Sequence, residues 1–166
     1  ISLIGQDSDL GVGTTVTGAV VTEYEDSARF AVFNVGDSRV YLFEHDILTQ
    51  VTRDHSVVQD MVDAGLISRD EADDHPDANI ITRAIGFNAA PSPDVSMLPI
   101  RPGQRLLICS DGLTREVSEA ELSRQLAERR DPSDSVLTLI DAALEGGGRD
   151  NITAIIVDVL MVPTAD

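Results

Sequence analysis

Strand-like and helix-like residue patterns occupy separate stretches of this chain, and that separation constrains its fold most. The strand pattern is a run of Val, Thr and other apolar residues, or an alternation of polar and apolar residues. The predicted strands cover residues 16–24, 29–35, 39–43, 47–51, 105–109 and 152–157. Strands in runs, with helices grouped apart from them, are typical of a layered α+β sandwich and argue against an alternating βαβ order.

Three helices are predicted from their start signals. From Ser56 the apolar residues recur with the period of a helix, and either Asp54 or Ser56 is placed to cap its first turn. Ser118, followed three residues later by Glu121, forms a capping box. Asp131 before Pro132 provides an N-cap followed by a proline at the first helical position. These signals predict one helix after the first strands and two more before the last strand.

The segment 67–95 has no clear periodicity and carries many acidic residues, followed by Pro91 and Pro93. Ser68 and Glu71 are spaced to cap one short helical turn inside it. Long irregular segments within compact domains are usually functional loops. We therefore expect residues 67–95 to form a flap-like insert that moves beside a site.

Composition limits the function classes. With 166 residues, 42% of them hydrophobic, the chain can bury one core and is expected to be one domain or most of one. Its net charge of −17 repels nucleic acid and anionic membranes. No apolar run reaches the ~20 residues that span a bilayer. The single cysteine, Cys109, cannot form an internal disulfide. From these features we expect a cytoplasmic protein.

Two acidic turns adjoin strand-like runs. Asp111 follows the run 105–109, and Asp150 precedes the run 152–157. A carboxylate fixed at the end of a strand is a poor core residue and a good ligand for Mg²⁺ or Mn²⁺, which prefer oxygen donors. Asp-Gly and Asp-Asn are also ordinary turn dipeptides, so a purely structural role is the alternative for both positions.

Several blocks of the chain resemble the bacterial branch of the metal-dependent protein serine/threonine phosphatases, the type 2C family. The blocks are Gly13-Thr14-Thr15, residues 35–42, Leu48-Thr49 with Asp54-His55-Ser56, residues 81–86, residues 107–113 and residues 147–153. They occur in the family's order. The resemblance implies a four-layer αββα sandwich of two antiparallel sheets flanked by helices, with a dinuclear Mn²⁺ or Mg²⁺ site between the sheets.

The resemblance also implies roles for three aspartates. Asp111 and Asp150 resemble the two metal aspartates of the family's C-terminal half, and Asp37 resembles the residue that joins Asp111 at a third, weaker metal position. The rival interpretation of Asp37 is a turn residue beside an ion-paired Arg39. The implied reaction is hydrolysis of phosphoserine and phosphothreonine on proteins by a metal-activated water. The implied partners are phosphorylated proteins and a serine/threonine kinase acting on the same substrates.

The sequence departs from the family at its beginning. Members carry a block of Arg, Asn, Glu and Asp and then an Asp-Gly-x-Gly-Gly block, which provide other metal aspartates and phosphate-contacting groups, and neither occurs here. Residues 1–166 are therefore expected to be the C-terminal majority of a single domain, incomplete at the N-terminus, or a domain that has lost half its site. We expect them to hydrolyse phosphate esters barely and to fold poorly alone, because uncovered sheet edges aggregate.

Two further functions compete with this one. Cys109, five intervening residues and Arg115 match the spacing of cysteine-dependent phosphatases, although Asp111 would place a negative charge inside a loop meant for a dianion. A non-catalytic domain that keeps the phosphatase scaffold for binding or regulation is the other alternative.

Gly13-Thr14-Thr15 is expected only to set a turn, and His55 is expected to begin a helix without a catalytic role.

Overall fold

In the part of the chain that the structure describes, seven strands form two antiparallel sheets. A computed structural model describes residues 13–73, 75–86 and 91–161. The three-stranded sheet has the order β1-β2-β5, formed by β1 (Val16–Tyr24), β2 (Ser27–Val35) and β5 (Asp94–Pro99). The four-stranded sheet has the order β4-β3-β6-β7, formed by β3 (Arg39–Glu44), β4 (Ile47–Gln50), β6 (Arg105–Cys109) and β7 (Ala154–Asp158).

The helices of the described residues lie between these strands in the sequence. They are α1 (Val57–Asp63), α2 (Arg69–Asp73), α3 (Asp111–Thr114), α4 (Glu119–Ala127) and α5 (Pro132–Gly146). The predicted N-caps are confirmed: the Ser56 hydroxyl accepts from the Gln59 N–H at 3.2 Å, and the Ser118 hydroxyl accepts from the Glu121 N–H at 3.3 Å. Asp131 likewise accepts from the backbone at the start of α5. Each cap satisfies a donor that a helix leaves free at its N-terminus.

Alternate residues of β6 serve two cores because side chains in a strand point to opposite faces. Leu107 faces α3, α4 and α5, where Leu122 and Leu139 are also fully buried. Leu106 faces the other sheet and packs with Val32. The four-stranded sheet is thus the middle layer, between the helices and the three-stranded sheet.

Some apolar side chains on the outer faces and edges of the sheets are exposed. Val20 of β1 and Val95 of β5 lie on the face of the three-stranded sheet that points away from the middle layer, and they are 54% and 56% exposed. Ile155 and Val157 of β7 are also exposed. That residues 1–166 alone leave sheet edges uncovered and fold poorly stays a prediction.

Two elements differ from the sequence-based expectation. Strand β5 was not predicted, because Pro91 and Pro93 precede it and obscure the strand pattern. The four-residue helix α3 begins at the acidic turn that was predicted as a strand end.

The cap inside segment 67–95 is present, with the Ser68 N–H and hydroxyl both donating to Glu71 at 2.8 Å. The movement of this segment remains a prediction.

No helix in the described part of the chain is long and apolar enough to cross a bilayer.

Candidate metal-binding site

The three predicted metal aspartates line one cavity. Asp37, Asp111 and Asp150 all border a cavity of about 720 Å³. They come from three turns that are far apart in sequence: the link between β2 and β3, the start of α3, and the loop before β7. The fold therefore brings together three carboxylates that the sequence analysis identified separately.

The turn that carries Asp37 is fixed by its neighbours. Gly36 has a φ of +119°, and a β-carbon there would collide with the side chain of Thr15. The Gly36 N–H donates to His55 Nδ1 at 3.0 Å, and the Gly36 carbonyl accepts from the His55 N–H at 2.9 Å. Only glycine adopts this backbone conformation without strain, so the position of Asp37 depends on the residue before it.

The other two acidic turns are held against each other. A β-carbon on Gly112 would collide with the Asn151 carbonyl oxygen, so the absence of a side chain lets the start of α3 approach the loop before β7. The Ser110 hydroxyl accepts from the Thr153 N–H at 3.0 Å and donates to the Asn151 carbonyl at 3.2 Å. These contacts hold the Asp111 turn beside the Asp150 turn through backbone groups.

Asp37 and Asp111 share one protein cation. Arg115 Nη2 lies 2.7 Å from Asp111 Oδ2 and 3.8 Å from Asp37 Oδ2. The pKa of Asp37 is raised, first because burial disfavours its charged form and second because the negative charge of Asp111 lies nearby. Two carboxylates brought this close need positive charge, and Arg115 supplies it.

The donor set suits a hard cation, although the three aspartates are not one ligand cluster. Carboxylate oxygens are the donors that Mg²⁺ and Mn²⁺ prefer. Asp37 and Asp111 already meet at a cationic group. Within residues 13–73, 75–86 and 91–161, no three His, Cys, Asp or Glu side chains are grouped in a way that could hold a metal ion. Asp150 thus shares the cavity without completing such a group.

Known proteins of similar sequence and structure are phosphatases. The "Serine/threonine phosphatase stp" of Listeria innocua is 38% identical over 148 residues, which is 89% of this chain and 57% of that protein. The crystal structure of the PPM Ser-Thr phosphatase MsPP from Mycobacterium smegmatis, in complex with cacodylate, superposes with a TM-score of 0.84 at 38% identity, covering 95% of this chain and 66% of that one. The chain belongs to the bacterial metal-dependent serine/threonine phosphatases, the type 2C family.

A third relative carries metal. The catalytic domain of the serine/threonine phosphatase PstP, solved in complex with two manganese ions, has a TM-score of 0.77 and 37% identity, over 90% of this chain and 60% of that one. No protein-family model matches the chain. The chain spans about three fifths of the length of the relatives cited here from Listeria and M. smegmatis. The expected α+β class, with two antiparallel sheets flanked by helices, is confirmed for this phosphatase-family chain.

The environment of Cys109 disfavours the cysteine-dependent alternative. Its side chain is buried, and burial raises the pKa of the thiol to about 12, so the nucleophilic thiolate is scarce at neutral pH. Cys109 lines a separate cavity of about 260 Å³ together with Ser38 and Thr15. Arg115, the other residue of that motif, pairs with Asp111.

Sequence reasoning missed two residues near the cavity: Asp54 lines it, and His55 contacts the turn that carries Asp37. Asp54 was considered as a helix cap. It is buried, and its Oδ2 atom accepts hydrogen bonds from Arg39 Nε at 2.9 Å and from Arg39 Nη2 at 2.7 Å. His55 was assigned no functional role, but its imidazole is buried beneath the Asp37 turn. Both belong to the Asp54-His55-Ser56 block that carried part of the family resemblance, and that block was the available signal.

Proposed function

We propose that this chain forms the part of a protein serine/threonine phosphatase domain that contributes Asp37, Asp111 and Asp150 as ligands to divalent cations. The domain hydrolyses phosphoserine and phosphothreonine on proteins with water as the nucleophile. The observation that carries the proposal is that three turns from distant parts of the chain deliver their carboxylates to one cavity. The family membership of the chain supports the same reaction.

The chemistry explains why such a site needs carboxylates. Phosphate monoester hydrolysis is among the slowest uncatalysed reactions and requires acceleration of up to ~10²¹-fold. When two Mn²⁺ or Mg²⁺ ions are bound, they supply Lewis acidity and lower the pKa of water toward neutrality. In this chain, Asp111 and Asp150 would hold the principal ions, and Asp37 with Asp111 would hold a third, weaker one. A buried, unreactive Cys109 is compatible with this mechanism because no side-chain nucleophile is required.

The remaining expectations follow from the reaction. Substrate proteins must be phosphorylated by a serine/threonine kinase, so such a kinase is the implied partner. Manganese is the first cation to test, because the PstP catalytic domain was solved with two manganese ions; magnesium has the same donor preference. The cytoplasmic location remains a prediction from the sequence.

The activity test uses a chimera, because the chain spans 57% of the length of the L. innocua phosphatase. The part of that phosphatase outside the matched region is joined to residues 1–166, and hydrolysis of p-nitrophenyl phosphate is measured with Mn²⁺ and with EDTA. Asp111→Asn is compared with Asp141→Asn, which changes an exposed aspartate of α5. A Cys109→Ser chimera tests the thiol.

We expect Mn²⁺-dependent turnover in the parent chimera, in Asp141→Asn and in Cys109→Ser. Asp111→Asn should reduce turnover to the level measured in EDTA, because it removes a ligand charge that two cations share. Full turnover in EDTA, or loss of turnover in a folded Cys109→Ser chimera, would overturn the proposal.

A non-catalytic binding domain is the second candidate, and the lack of a three-residue metal group in the described residues favours it. The two candidates are separated by phosphopeptide binding in the same chimera. Binding of a phosphothreonine peptide without hydrolysis, at saturating Mn²⁺, would support the non-catalytic role. Hydrolysis of that peptide would exclude it.

We also propose that segment 67–95 controls access of protein substrates. Lids often govern substrate entry and product release more than chemistry, and residues of this segment, including Arg69 and His75, line the same cavity as the aspartates. Replacing residues 67–79 of the chimera by a short Gly-Ser linker should lower turnover of a phosphoprotein while p-nitrophenyl phosphate turnover stays close to that of the parent. Equal losses on both substrates would show that the segment belongs to the catalytic scaffold.

A further inference from the structure

The His55 side chain is a buried titratable group near the cavity that the proposed mechanism does not use. It is 1% exposed, and both ring nitrogens are engaged. Nδ1 accepts from the Gly36 N–H at 3.0 Å, and Nε2 lies 3.0 Å from Asp94 Oδ2. Because a backbone N–H can only donate, Nδ1 must be the acceptor, so the ring proton is on Nε2 and donates to Asp94.

Asp94 extends this contact to a third part of the chain. Arg83 Nη1 donates to Asp94 Oδ1 at 2.7 Å. Hydrogen bonds from His55, and then from Arg83, lower the pKa of Asp94, so the acceptor is charged at neutral pH. The backbone adds a further link, since the Thr82 N–H donates to the His55 carbonyl at 2.8 Å. The His55 imidazole therefore connects the Gly36 turn to the start of β5, and the loop containing Arg83 joins them through the His55 backbone carbonyl and through Asp94.

The Asp37 turn needs support of this kind. Asp37 lies close to Asp111, and the two negative charges repel each other. Arg115 screens that repulsion from the Asp111 side, at 2.7 Å from Asp111 but 3.8 Å from Asp37. On its other side, the Asp37 turn is held by the Gly36 N–H, which donates to His55 Nδ1, and by the Gly36 carbonyl, which accepts from the His55 N–H and from Asn34 Nδ2, both at 2.9 Å. An apolar side chain at position 55 could fill the same space, but it would leave the Gly36 N–H without its acceptor.

We propose that His55 is a positioning residue for Asp37: by accepting from the Gly36 N–H while bound to Asp94, it holds the Asp37 carboxylate where it can share a divalent cation with Asp111. The inference rests on the proposed metal site. It gives His55 a role that is distinct from metal ligation, because neither ring nitrogen is free to bind a cation. Partners that orient metal ligands change metal affinity by about 10- to 100-fold when they are removed.

Two substitutions separate the two ring contacts in the chimera that joins residues 1–166 to the unmatched part of the L. innocua phosphatase. His55→Asn places an amide oxygen close to the position of Nδ1 and keeps an acceptor for Gly36, whereas His55→Gln places a donor close to Nε2 and keeps only the Asp94 contact. The matched control is His45→Asn in the exposed β3–β4 turn, where φ is +52° and asparagine is tolerated. Asp94→Ala removes the half-exposed partner and provides a variant that does not alter the buried ring itself.

Two properties are measured: hydrogen exchange of the Gly36 amide by NMR in the metal-free chain, and Mn²⁺ affinity by electron paramagnetic resonance. For His55→Gln we expect faster Gly36 exchange and about 10-fold weaker Mn²⁺ binding. For His45→Asn we expect both properties to stay close to those of the parent. For His55→Asn, which keeps the Gly36 contact and loses only the Asp94 contact, we expect a change no larger than that of Asp94→Ala. For Asp94→Ala we expect a smaller change in the same direction as His55→Gln.

The outcomes are decisive in each case. Parent-like Mn²⁺ affinity in a folded His55→Gln chain, or equal losses in His55→Gln and His55→Asn, would overturn the positioning role. If both His55 variants unfold, unchanged exchange and affinity in Asp94→Ala would overturn it. If the parent chain binds no Mn²⁺, the proposed metal site fails, and Gly36 exchange still decides whether His55 fixes the turn.

Discussion

The two sheets of this molecule are covered very differently. The four-stranded sheet packs on one side against α3, α4 and α5, and leucines such as Leu122 and Leu139 in this layer have no exposed surface. On the three-stranded sheet, Val20 and Val95 of the outer face are 54% and 56% exposed. Asp111 and Asp150 adjoin β6 and β7 of the well-covered sheet. The helix-covered half of the molecule therefore positions the Asp111 and Asp150 carboxylates, and the exposed face of the three-stranded sheet is not involved.

The difference between the two sheets also indicates which surfaces of the chain favour aggregation. Exposed apolar residues on a sheet face and unpaired strand edges favour association with other chains. The relatives from L. innocua and M. smegmatis are longer than this chain, which spans 57% and 66% of them. Poor folding of residues 1–166 alone remains a prediction, and the exposed side chains of β1, β5 and β7 are its physical basis.

The largest effect on the free energy of unfolding is expected at Arg105, a buried charged residue of the helix-covered sheet. Arg105 of β6 is 1% exposed, and it binds both oxygens of Asp158 at 2.6 Å. Arg105→Gln should lower the free energy of unfolding by about 3–5 kcal/mol, because it leaves the carboxylate without its partner. Urea denaturation in EDTA measures this loss.

The control is Arg124→Gln, which breaks the exposed pair with Glu121 on α4. It should leave the urea midpoint unchanged, since exposed pairs contribute little. A parent-like midpoint for Arg105→Gln would show that the helix-covered half is not held together as described.

A smaller effect is expected from the apolar core itself. Leu122→Ala should cost about 2–5 kcal/mol of unfolding free energy, because it opens a cavity where the surrounding side chains are fully packed. Val95→Ala, on the uncovered sheet, should change it by less than about 0.5 kcal/mol. Similar losses for the two variants in urea denaturation would contradict the contrast between the sheets.

The smallest effect, and one of opposite sign, is expected at Asp37, on the link between the two sheets. Burial and the charge of Asp111 raise its pKa in the folded state, so its ionised form destabilises the metal-free chain at pH 7. Asp37→Asn should therefore increase the free energy of unfolding in EDTA at pH 7. The gain should shrink as the pH falls through the raised pKa toward the ordinary value of 3.8, where both states bind the proton.

Asp46→Asn, in the exposed β3–β4 turn, serves as the control for removing a negative charge. Urea denaturation of both variants at pH 7 and near pH 4 measures the difference. A gain for Asp37→Asn that grows at lower pH would contradict the assignment of Asp37 to a partly buried position beside Asp111.

Local signals predicted most of the fold, whereas long-range contacts were beyond sequence reasoning. The caps at Ser56 and Ser118 depend on neighbours three residues away, so the sequence alone predicted them. Strand β5 depends on pairing with β2, whose paired residues lie 60 to 70 positions earlier, and two prolines obscured it.

The same distinction applies to the site. Asp111 and Asp150 were found because each adjoins a strand-like run. Their joint cavity depends on Gly112 packing against the distant loop at Asn151, and no local pattern predicts that contact. His55 was assigned to a helix start, since its contacts to Gly36 and Asp94 arise only when three segments meet.

The most direct test of the account is Mn²⁺ binding by the chimera that joins residues 1–166 to the unmatched part of the L. innocua phosphatase, measured by electron paramagnetic resonance for the parent, Asp111→Asn and Asp141→Asn. The account predicts saturable binding in the parent and in Asp141→Asn, and loss of that binding in Asp111→Asn, which keeps its fold because it lies outside the core. Equal Mn²⁺ affinity in all three chains would contradict the claim that the covered half of the molecule carries the metal-binding carboxylates.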